Sequence, residues 1–493
     1  MSGQLKILIL TAEMVPFAKT GGLADVAGAL PKALATLGHD VRVALPRYGR
    51  IDGARFGLTV EVDPFPVTID SGTESVSIER SAIRAGDREI PVYFVANERL
   101  FNREGVYGYP DDGERFVLFC RAALEMLKRI DWQPDVIHCN DWHTGLVPNW
   151  LKTIYRDDPF FAKTATVYTI HNLQYQGVFG RRILEVAGIE AYGFLYHPQM
   201  GELANVVDFM ARGIYFADIV TTVSERYAQE ILTPEYGEKL DPLLRDRRDR
   251  LFGVLNGIDY DDANPATDQH IARQFDAEHL DARAENKAAL QREAGLTVDP
   301  NAPLLGLVSR MVDQKGFDLL SGIFDWLMRS LRVQFVLLGA GDQHYHTLFT
   351  RFQRTYPGQA AANLTFNTPF AQRIYAGSDM FLMPSRFEPC GLGQLMALRY
   401  GSIPVVRRTG GLADTVTDFD PLTEEGNGFV FERYDQVDLY TAIVRAVEHY
   451  RNPRTWQMLQ RRGMGADYSW GVSARKYADL YARAIEFRTS ERA

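Results

Sequence analysis

The stretch SDMFLMPSRFEPCGLGQLMALRYGSIPVVRRTGGLADTV, residues 378–416, decides the fold that we expect for this chain. It reads as strand, loop, helix, strand, loop, helix, with the strands at MFLMPS and SIPVV. The first loop carries one carboxylate, Glu388, just before a helix that opens between Gly391 and Gln394. Open α/β sheets bind ligands at the carboxyl ends of their parallel strands. The stretch therefore predicts a Rossmann-like domain with a ligand site beside Glu388.

The hexapeptide TGGLAD occurs twice, at Thr20–Asp25 and at Thr409–Asp414. Each copy follows an apolar strand and opens a predicted helix, and a cation, Lys19 or Arg408, stands directly before it. Paired glycines let a backbone approach a ligand closely, and a helix N-terminus attracts anions. The repeat indicates two Rossmann-like halves that hold a ligand between them. Its retention for packing alone is the alternative.

Composition and charge narrow the class of protein. A chain of 493 residues predicts two or three domains, and a formal charge of −9 without a basic block argues against nucleic acid and acidic membrane surfaces as partners. The apolar run Ile7–Leu10 is too short for a signal peptide, and no stretch is long enough to span a bilayer. Three scattered cysteines fit a reducing compartment. We therefore expect a cytoplasmic protein that binds neither nucleic acid nor membranes.

The order of predicted elements gives the domain boundaries. Strand and helix alternate from LKILILTAE onward, with a β-rich excursion over residues 51–100. The polar segment DYDDANPATD is predicted to be a linker, after which PLLGLVSR restarts the alternation. An amphipathic helix from about residue 473 is expected to pack back on the first domain. We predict an α/β protein with domains at 1–262, joined by 473–493, and at 263–472. The glycine spacing is not GxGxxG, which disfavours a nicotinamide oxidoreductase.

The pattern SRMVDQKGF places two cations, Arg310 and Lys315, in one loop between a strand and a helix. Two converging cations suit a pyrophosphate, whose charge grows when it becomes a leaving group. A solvated loop is the alternative for either residue alone. We favour a phosphate site.

The segment IHCNDWH, residues 137–143, offers two histidines, a cysteine and an aspartate within a short span. A structural zinc usually takes ligands from two separated pairs, and no CxxC occurs here, so we predict no metal site. The DYD sequence at 259–261 resembles a metal motif but lies in the predicted linker. Asp141 and His143 follow a strand, which places them on the ligand edge, where a carboxylate and an imidazole can hydrogen-bond sugar hydroxyls. His171 and Asn172 follow the next strand and share this edge, although a lone histidine is more often a satisfied core or loop group.

Seven ordered motifs resemble those of bacterial glycogen synthases and plant starch synthases. They are KTGGLADV (19–26), NDWHTGL (140–146), TIHNLQYQG (169–177), VLNGID (254–259), SRMVDQKGFDLL (309–320), PSRFEPCGLGQL (384–395) and VRRTGGLADTV (406–416). The resemblance implies the GT-B fold, in which two Rossmann-like domains face each other across a deep cleft, the first on the acceptor side and the second binding the nucleotide sugar.

The resemblance also implies an activity. It is the transfer of glucose from ADP-glucose to the non-reducing end of an α-1,4-glucan, glycogen or a maltooligosaccharide, with retention of configuration and with neither a metal nor a cofactor. A retaining GT-B enzyme that uses UDP-glucose is one alternative. A catalytically silent glucan-binding protein is another, although the presence of Lys19, Arg310, Lys315 and Glu388 argues against it.

Site roles follow from the same resemblance. The implied catalytic residues are Asp141, His171, Arg310, Lys315 and Glu388. The implied contacts to ADP-glucose add Lys19, Gly21, Gly22, Asn256, Phe366, Cys390, Gly391 and Leu392, and the implied acceptor or sugar contacts are Asp25, His143 and Asn172. Phe366 stands where a tyrosine that stacks on adenine is expected. Its phenyl ring can still stack but makes no hydrogen bond.

Overall fold

The computed structural model describes residues 3–70, 72–197, 199 and 206–491. It divides into two compact units, residues Met1–Gly257 with Trp470–Ala493 and residues Ile258–Ser469. The sequence-based boundaries were set at 262 and 472, within the polar segment after VLNGID and just inside the final helix. Of that C-terminal segment, Arg492 and Ala493 lie outside the described residues.

Most strands lie at the apolar runs of the sequence. The strands are β1 (Lys6–Leu10), β2 (Asp40–Pro46), β3 (Thr59–Ile69), β4 (Gly72–Ala85), β5 (Arg88–Ala96), β6 (Val136–Asn140), β7 (Ala165–Ile170), β8 (Val178–Phe179), β9 (Val207–Asp208), β10 (Ile219–Thr222), β11 (Leu251–Gly253), β12 (Leu304–Val308), β13 (Gln334–Leu338), β14 (Ala360–Asn363), β15 (Met380–Met383), β16 (Ile403–Arg407) and β17 (Phe429–Phe431). Of these, β8, β9, β14 and β17 were not expected from the sequence.

The α-helices alternate with these strands. They are α1 (Gly22–Thr36), α2 (Asp112–Arg129), α3 (Leu146–Lys152), α4 (Arg182–Val186), α5 (Phe209–Phe216), α6 (Glu225–Glu230), α7 (Asp241–Asp246), α8 (Arg283–Glu293), α9 (Phe317–Trp326), α10 (Gln343–Thr355), α11 (Thr368–Gly377), α12 (Gly393–Arg399), α13 (Gly410–Thr415), α14 (Gln436–Tyr450), α15 (Pro453–Gly465) and α16 (Trp470–Ser490). No helix in the described ranges is long and apolar enough to cross a membrane.

The sheet of the first unit has the strand order β11-β10-β7-β6-β1-β2-β5-β4-β3. Strands β11 to β5 run parallel, and β3 and β4 add an antiparallel edge, which is the β-rich excursion predicted from the sequence. Because β1 has β2 on one side and β6 on the other, the chain direction of the crossovers reverses there. Such a switch point, at the carboxyl ends of the strands, is where open α/β sheets bind ligands.

Helix α16 packs within the first unit, on α1 and β7, as the amphipathic pattern predicted. A buried hydrogen-bond chain anchors it: the Tyr481 hydroxyl lies 2.8 Å from His138 Nδ1, and His138 Nε2 lies 2.6 Å from Thr169 Oγ1. Both ring nitrogens of His138 are therefore engaged by hydroxyls. This histidine of the IHCNDWH segment ties the helix to the sheet.

The second unit contains a fully parallel sheet in the order β14-β13-β12-β15-β16-β17. Here the switch point lies between β12 and β15. At the opposite, amino-terminal end of these strands the buried Asp379 carboxylate accepts hydrogen bonds from Lys287 Nζ at 2.7 Å and from the Leu304 amide at 2.9 Å. The hydrogen bond joins the start of β12 to the residue before β15, and the ion pair attaches α8 at the same point. The loops at their carboxyl ends are thereby set side by side.

Candidate active site

Glu388 lies in the loop between β15 and α12, at the carboxyl edge of the second sheet. Its Oε2 atom accepts hydrogen bonds from Lys315 Nζ at 2.6 Å and from Ser385 Oγ at 2.9 Å. The side chains of Glu388 and Lys315 are only 7% and 17% exposed. The structure thus brings together the carboxylate of one predicted motif and the lysine of another.

Glycines press two neighbouring turns against the loop that carries Glu388. Gly316, directly after Lys315, has φ +74°, and a Cβ there would lie 2.0 Å from the carbonyl oxygen of Pro384. On the other side, a Cβ at Gly410 would lie 1.9 Å from the carbonyl oxygen of Glu388. The φ of Gly410 is +44°, which an L side chain adopts only with strain. Both contacts position Glu388 through its backbone.

The second copy of TGGLAD is therefore explained by packing, the alternative stated from the sequence. A Cβ at its other glycine, Gly411, would lie 2.0 Å from the carbonyl oxygen of Cys390, and the Gly411 amide donates to the carbonyl of Glu388 at 3.1 Å. The adjacent cation, Arg408, pairs with Glu432 at 2.5 Å. In this copy the glycines admit the chain's own backbone.

A pocket of about 200 Å³ opens beside the Lys315–Glu388 pair. It lies within the second unit, and Arg310, which is exposed, lies on its wall. Of the predicted donor contacts, Gly391 and Leu392 also line it. The lining residues are Leu307, Val308, Ser309, Arg310, Lys315, Tyr375, Leu382, Met383, Pro384, Ser385, Glu388, Gly391, Leu392 and Gly393. Two cations and one carboxylate thus share a small concave site.

Two predicted donor contacts of the second unit lie outside this lining. Cys390 is buried, and its carbonyl accepts a hydrogen bond from Gln394 Nε2 at 3.0 Å. Phe366 precedes α11 and is 79% exposed. The Asn367 side chain next to it caps α11 by accepting from the Phe370 amide at 3.0 Å. The exposed ring of Phe366 has its faces available for stacking.

The first copy of TGGLAD differs from the second because its glycines are open. A Cβ at Gly22 would meet no atom within 4 Å, and one at Gly21 would meet only Glu13 Oε1 at an ordinary 3.7 Å. Lys19 pairs with Asp25 across this turn at 2.6 Å, with both side chains well exposed. The turn opens the long helix α1. In this copy a ligand can approach the backbone.

Glu13 holds that turn, a role that was not predicted from the sequence. Its Oε2 atom accepts hydrogen bonds from the amides of Thr20 at 2.5 Å and Gly21 at 2.9 Å, while the Tyr107 hydroxyl donates to its Oε1 atom at 2.7 Å. Glu13 is 4% exposed. A carboxylate that follows a buried strand and precedes a glycine turn was the available signal. Tyr107, far away in sequence, had none.

Asp141 and His171 lie together at the ends of β6 and β7. Asp141 has φ +55°, a conformation that strains a residue other than glycine, and its Oδ1 accepts from the His171 amide at 2.8 Å. Burial raises the pKa of the Asp141 carboxyl to about 7, and the nearby charge of Glu13 adds to this effect. Burial lowers the pKa of His171 to about 3. At neutral pH the imidazole is therefore uncharged.

Two further predicted contacts of the first unit are buried and keep a polar atom unsatisfied. His143 stacks between Trp142 and Tyr107, and burial lowers its pKa well below the usual value. Among the described residues neither His143 Nδ1 nor Asn256 Oδ1 has a hydrogen-bond partner. Such atoms in a buried side chain call for a partner. Asn172 is half-buried and accepts from the Gln174 amide at 3.0 Å.

No group of three or more histidine, cysteine, aspartate or glutamate side chains within the described ranges is arranged to hold a metal ion. In the IHCNDWH segment, His138 is bonded to hydroxyls on both sides, Cys139 is buried, and Asp141 accepts a backbone amide. Each of these side chains has a protein partner or is enclosed. Although these residues are close in sequence, their side chains do not converge on one point.

Comparison with known proteins places this arrangement in a family. Residues 6–246 match the starch synthase catalytic domain family, and residues 292–459 match the glycosyl transferases group 1 family. Glycogen synthases from Desulforudis audaxviator and Moorella thermoacetica are each 51% identical, over 99% of this chain and 98% of their own length. The catalytic domain of starch synthase IV from Arabidopsis thaliana, bound to ADP and acarbose, superimposes with a TM-score of 0.90 at 36% identity, over 98% of this chain and all of that one.

The fold and the polar edges of its two sheets define a glycosyltransferase of the GT-B class. The expected α/β architecture of two Rossmann-like domains is confirmed. Identity of this extent over nearly the full length narrows the class further. The chain belongs to the glycogen synthase and starch synthase family.

The role of Glu13 can be tested by removing its carboxylate. In Glu13→Ala, amide hydrogen exchange in a peptide covering residues 17–24 should accelerate about tenfold or more. A hydrogen bond to a charged group contributes about 1.5–3 kcal/mol, and about 1.4 kcal/mol corresponds to a factor of ten. Exchange followed by mass spectrometry measures this. Glu13→Gln keeps an acceptor oxygen and should retain part of the protection; unchanged exchange in the alanine variant would contradict the assignment.

The raised pKa of Asp141 predicts a pH-dependent stability. Between its unfolded value of about 4 and its folded value of about 7, the folded state binds more protons, so this group lowers stability as pH rises through that range. Asp141→Asn removes the effect and tolerates a positive φ.

The melting temperature of Asp141→Asn relative to the unmodified protein should therefore increase from pH 5 to pH 8. Asp87→Asn, a change of an exposed turn residue, is the control for loss of a charge. A difference between Asp141→Asn and the unmodified protein that stays constant over this range would disprove the assigned pKa.

Proposed function

We propose that this glycosyltransferase transfers glucose from ADP-glucose to the non-reducing end of an α-1,4-glucan, with retention of configuration and without a metal ion. The observation that carries the proposal is the pocket in which Lys315 and Arg310 share one small site with the Glu388 carboxylate. The names of the relatives and the ADP and acarbose bound to the Arabidopsis enzyme support it. The enclosed, unbridged cysteines fit a cytoplasmic location.

In the second unit, the pocket provides charge for a nucleotide diphosphate. Arg310 is exposed on the wall and can turn to phosphate oxygens, and Lys315 can exchange Glu388 for them. Negative charge grows on the diphosphate as the bond to glucose breaks, so cations fixed nearby stabilise the transition state more than the ground state. Once Lys315 turns to phosphate, the Glu388 carboxylate is free to accept hydrogen bonds from glucose hydroxyls.

In the first unit, the edge formed by Asp141 and His171 suits a neutral sugar. His171 Nε2 lies 2.8 Å from Asn140 Oδ1, so in the neutral imidazole this nitrogen donates and Nδ1 remains an acceptor. Asn256 Oδ1 is a second acceptor without a partner among the described residues. We assign His171 Nδ1 and Asn256 Oδ1 to hydrogen bonds with sugar hydroxyls. The open turn at Gly21 and Gly22, beside Lys19, suits phosphate.

Retention requires the new bond to form on the face from which the old one leaves. In the front-face reaction that we propose, the bond from glucose C1 to the ADP phosphate oxygen breaks and a bond from C1 to the acceptor O4 forms on the same side. The departing phosphate takes the proton of the acceptor hydroxyl. This balance needs no covalent enzyme intermediate. In this reaction Glu388, Lys315 and Arg310 stabilise charge and orient the substrates.

The choice of ADP over UDP rests on Phe366. Its exposed ring offers stacking area to a base and no hydrogen bond, and a purine has more area to stack than a pyrimidine. A UDP-glucose enzyme is the second candidate, since Phe366 lacks the hydroxyl of the expected tyrosine and so has one means fewer of recognising adenine. A side-by-side assay of ADP-glucose and UDP-glucose distinguishes the two candidates.

The test of the proposal is incorporation of labelled glucose into glycogen from ADP-glucose and UDP-glucose, side by side, with and without EDTA. We expect strong preference for ADP-glucose and equal rates with the chelator. Preference for UDP-glucose would reassign the donor. A loss of activity in EDTA that divalent ions restore would overturn the metal-free reaction. A folded protein that binds glycogen and transfers from neither donor would be a glucan-binding protein.

The roles of the buried pair can be measured in the same assay. Glu388→Gln should lower kcat by roughly 100- to 1,000-fold, the usual cost of losing one preorganised polar group at a transition state. Lys315→Ala should raise the KM for the donor and lower kcat. Lys476→Ala, which removes a lysine from an exposed ion pair, is the matched control and should leave both constants unchanged. An unchanged kcat in Glu388→Gln would contradict its assignment.

A further inference from the structure

Gln314 bonds to the loop that carries Glu388 through both its side chain and its backbone. Its Nε2 atom donates to the carbonyl oxygen of Phe387 at 3.1 Å, and its carbonyl oxygen accepts from the Arg386 amide at 2.8 Å. Gln314 is buried, within the short 3₁₀ helix Asp313–Lys315 that follows β12. Two neutral hydrogen bonds, which we call the Gln314 link, therefore join the loop after β12 to the loop after β15.

The Gln314 link runs beside the ion pair of Lys315 and Glu388. Gln314 directly precedes Lys315 in the first loop. Phe387 directly precedes Glu388 in the second loop. Lys315 and Glu388 line the pocket of about 200 Å³, whereas Gln314 is not among the described residues that line it. A ligand in this pocket therefore contacts the ion pair and not the amide of Gln314.

The two kinds of contact respond differently to a charged ligand. Lys315 can exchange the carboxylate of Glu388 for phosphate oxygens, because both are anionic acceptors of a charged donor. An amide N–H bonded to a carbonyl oxygen carries no net charge, so a diphosphate gains little by replacing it. When the donor separates Lys315 from Glu388, the Gln314 link therefore remains.

Both ends of the link are attached to the surrounding elements of the second unit. The hydroxyl of Tyr345, a buried residue of α10, donates to Asp313 Oδ1 at 2.7 Å, which holds the residue before Gln314. On the other side, Nη1 of Arg407, the last residue of β16, donates to the carbonyl oxygen of Arg386. Gln314 thus joins two loops that are held separately by α10 and by β16.

A change in the relative position of these loops affects the reaction more than the binding of a nucleotide. The flexible stem of Lys315 can follow a phosphate, whereas Glu388 must meet glucose while the cations hold the departing diphosphate. A misplacement of about 1 Å at a reacting centre can lower the rate about 100-fold. The site therefore needs a polar link that the donor does not replace when the ion pair opens.

We propose that Gln314 is a positioning residue of the transfer reaction, which keeps the loops of Lys315 and Glu388 in register while the donor holds the two side chains apart. The inference rests on the proposed function, since the diphosphate and the glucose of the donor are the groups that take up the lysine and the carboxylate. Gln314 acts through these two residues and not by contact with the donor.

The test removes the side-chain half of the link. Gln314→Met keeps an unbranched side chain of similar length but has no amide, and the backbone bond to Arg386 remains. Gln314→Asn keeps an amide on a side chain one methylene shorter, away from Phe387, and gives the same comparison where methionine does not fold. Gln457→Met, a change of an exposed glutamine on α15, is the matched control. Circular dichroism and the melting temperature verify that each variant is folded.

Gln314→Met should lower kcat for transfer from ADP-glucose to glycogen about tenfold, as expected for a loss of alignment. The KM for ADP-glucose and the Kd for ADP should change by less than about threefold, because Lys315 still reaches the phosphates. Gln457→Met should leave all three constants unchanged. An unchanged kcat in folded Gln314→Met would overturn the proposal. Weaker ADP binding at a constant kcat would also overturn it, because Gln314 would then be a direct ligand contact.

A double variant separates positioning from a general effect on the fold. In a Glu388→Gln background, Gln314→Met should lower kcat further by less than about threefold, because a residue that acts through Glu388 has little to position once that carboxylate is gone. A further loss of about tenfold would mean that the two effects are independent, which contradicts the proposed role.

Hydrogen exchange with ADP as the probe tests the link without turnover. In Gln314→Met, saturating ADP should accelerate amide exchange in a peptide covering residues 384–392 about threefold or more, because phosphate takes Lys315 while the amide bond is missing. In the unmodified protein and in Gln457→Met, ADP should cause no acceleration.

Failure of the proposed function is seen separately. Accelerated exchange in Gln314→Met, without transfer from ADP-glucose by the unmodified protein, would support the link and refute the reaction. Transfer by the unmodified protein, with neither a lower kcat nor accelerated exchange in Gln314→Met, would support the reaction and refute the link.

Discussion

The buried contact between Lys315 Nζ and Glu388 Oε2 is the interaction on which the arrangement of the second unit depends. The attraction within a buried ion pair is largely offset by the cost of desolvating both charges. Removal of one partner leaves the other as an uncompensated buried charge. Ser385 offsets part of it with a hydrogen bond to the same oxygen. A pair of this kind holds two loops in register and can still be exchanged for ligand groups that satisfy both charges.

The two identical hexapeptides have different roles because different residues pack against them. Carbonyl oxygens of Glu388 and Cys390 lie against the glycines at 410 and 411, so that copy fixes the loop of the carboxylate. Behind the first copy the buried Glu13 carboxylate takes the turn amides, and the glycines face open space. One sequence thus serves as a packing device in one sheet and as an open turn in the other. The neighbours, and not the hexapeptide, decide which.

Much of the fold was predictable because its signals are local. Apolar runs that end in polar loops gave most strands of both sheets, though not β14 and β17, and the spacing after Glu388 gave α12. What failed to be predicted depends on contacts between distant segments. Tyr107 contacts Glu13 from another loop, and the raised pKa of the Asp141 carboxyl follows from burial. In IHCNDWH, the side chains of His138 and Asp141 have different partners, although the two residues are close in sequence.

We expect donor binding to separate the buried pair, with Lys315 turning to phosphate and Glu388 to glucose. The most direct measurement is the Kd of ADP and of ADP-glucose for the Lys315→Ala and Glu388→Gln variants, by calorimetry. Lys315→Ala should weaken the binding of both ligands by a similar factor, whereas Glu388→Gln should weaken the binding of ADP-glucose and leave that of ADP unchanged. Equal weakening of both ligands in Glu388→Gln, or normal ADP binding in Lys315→Ala, would contradict this expectation.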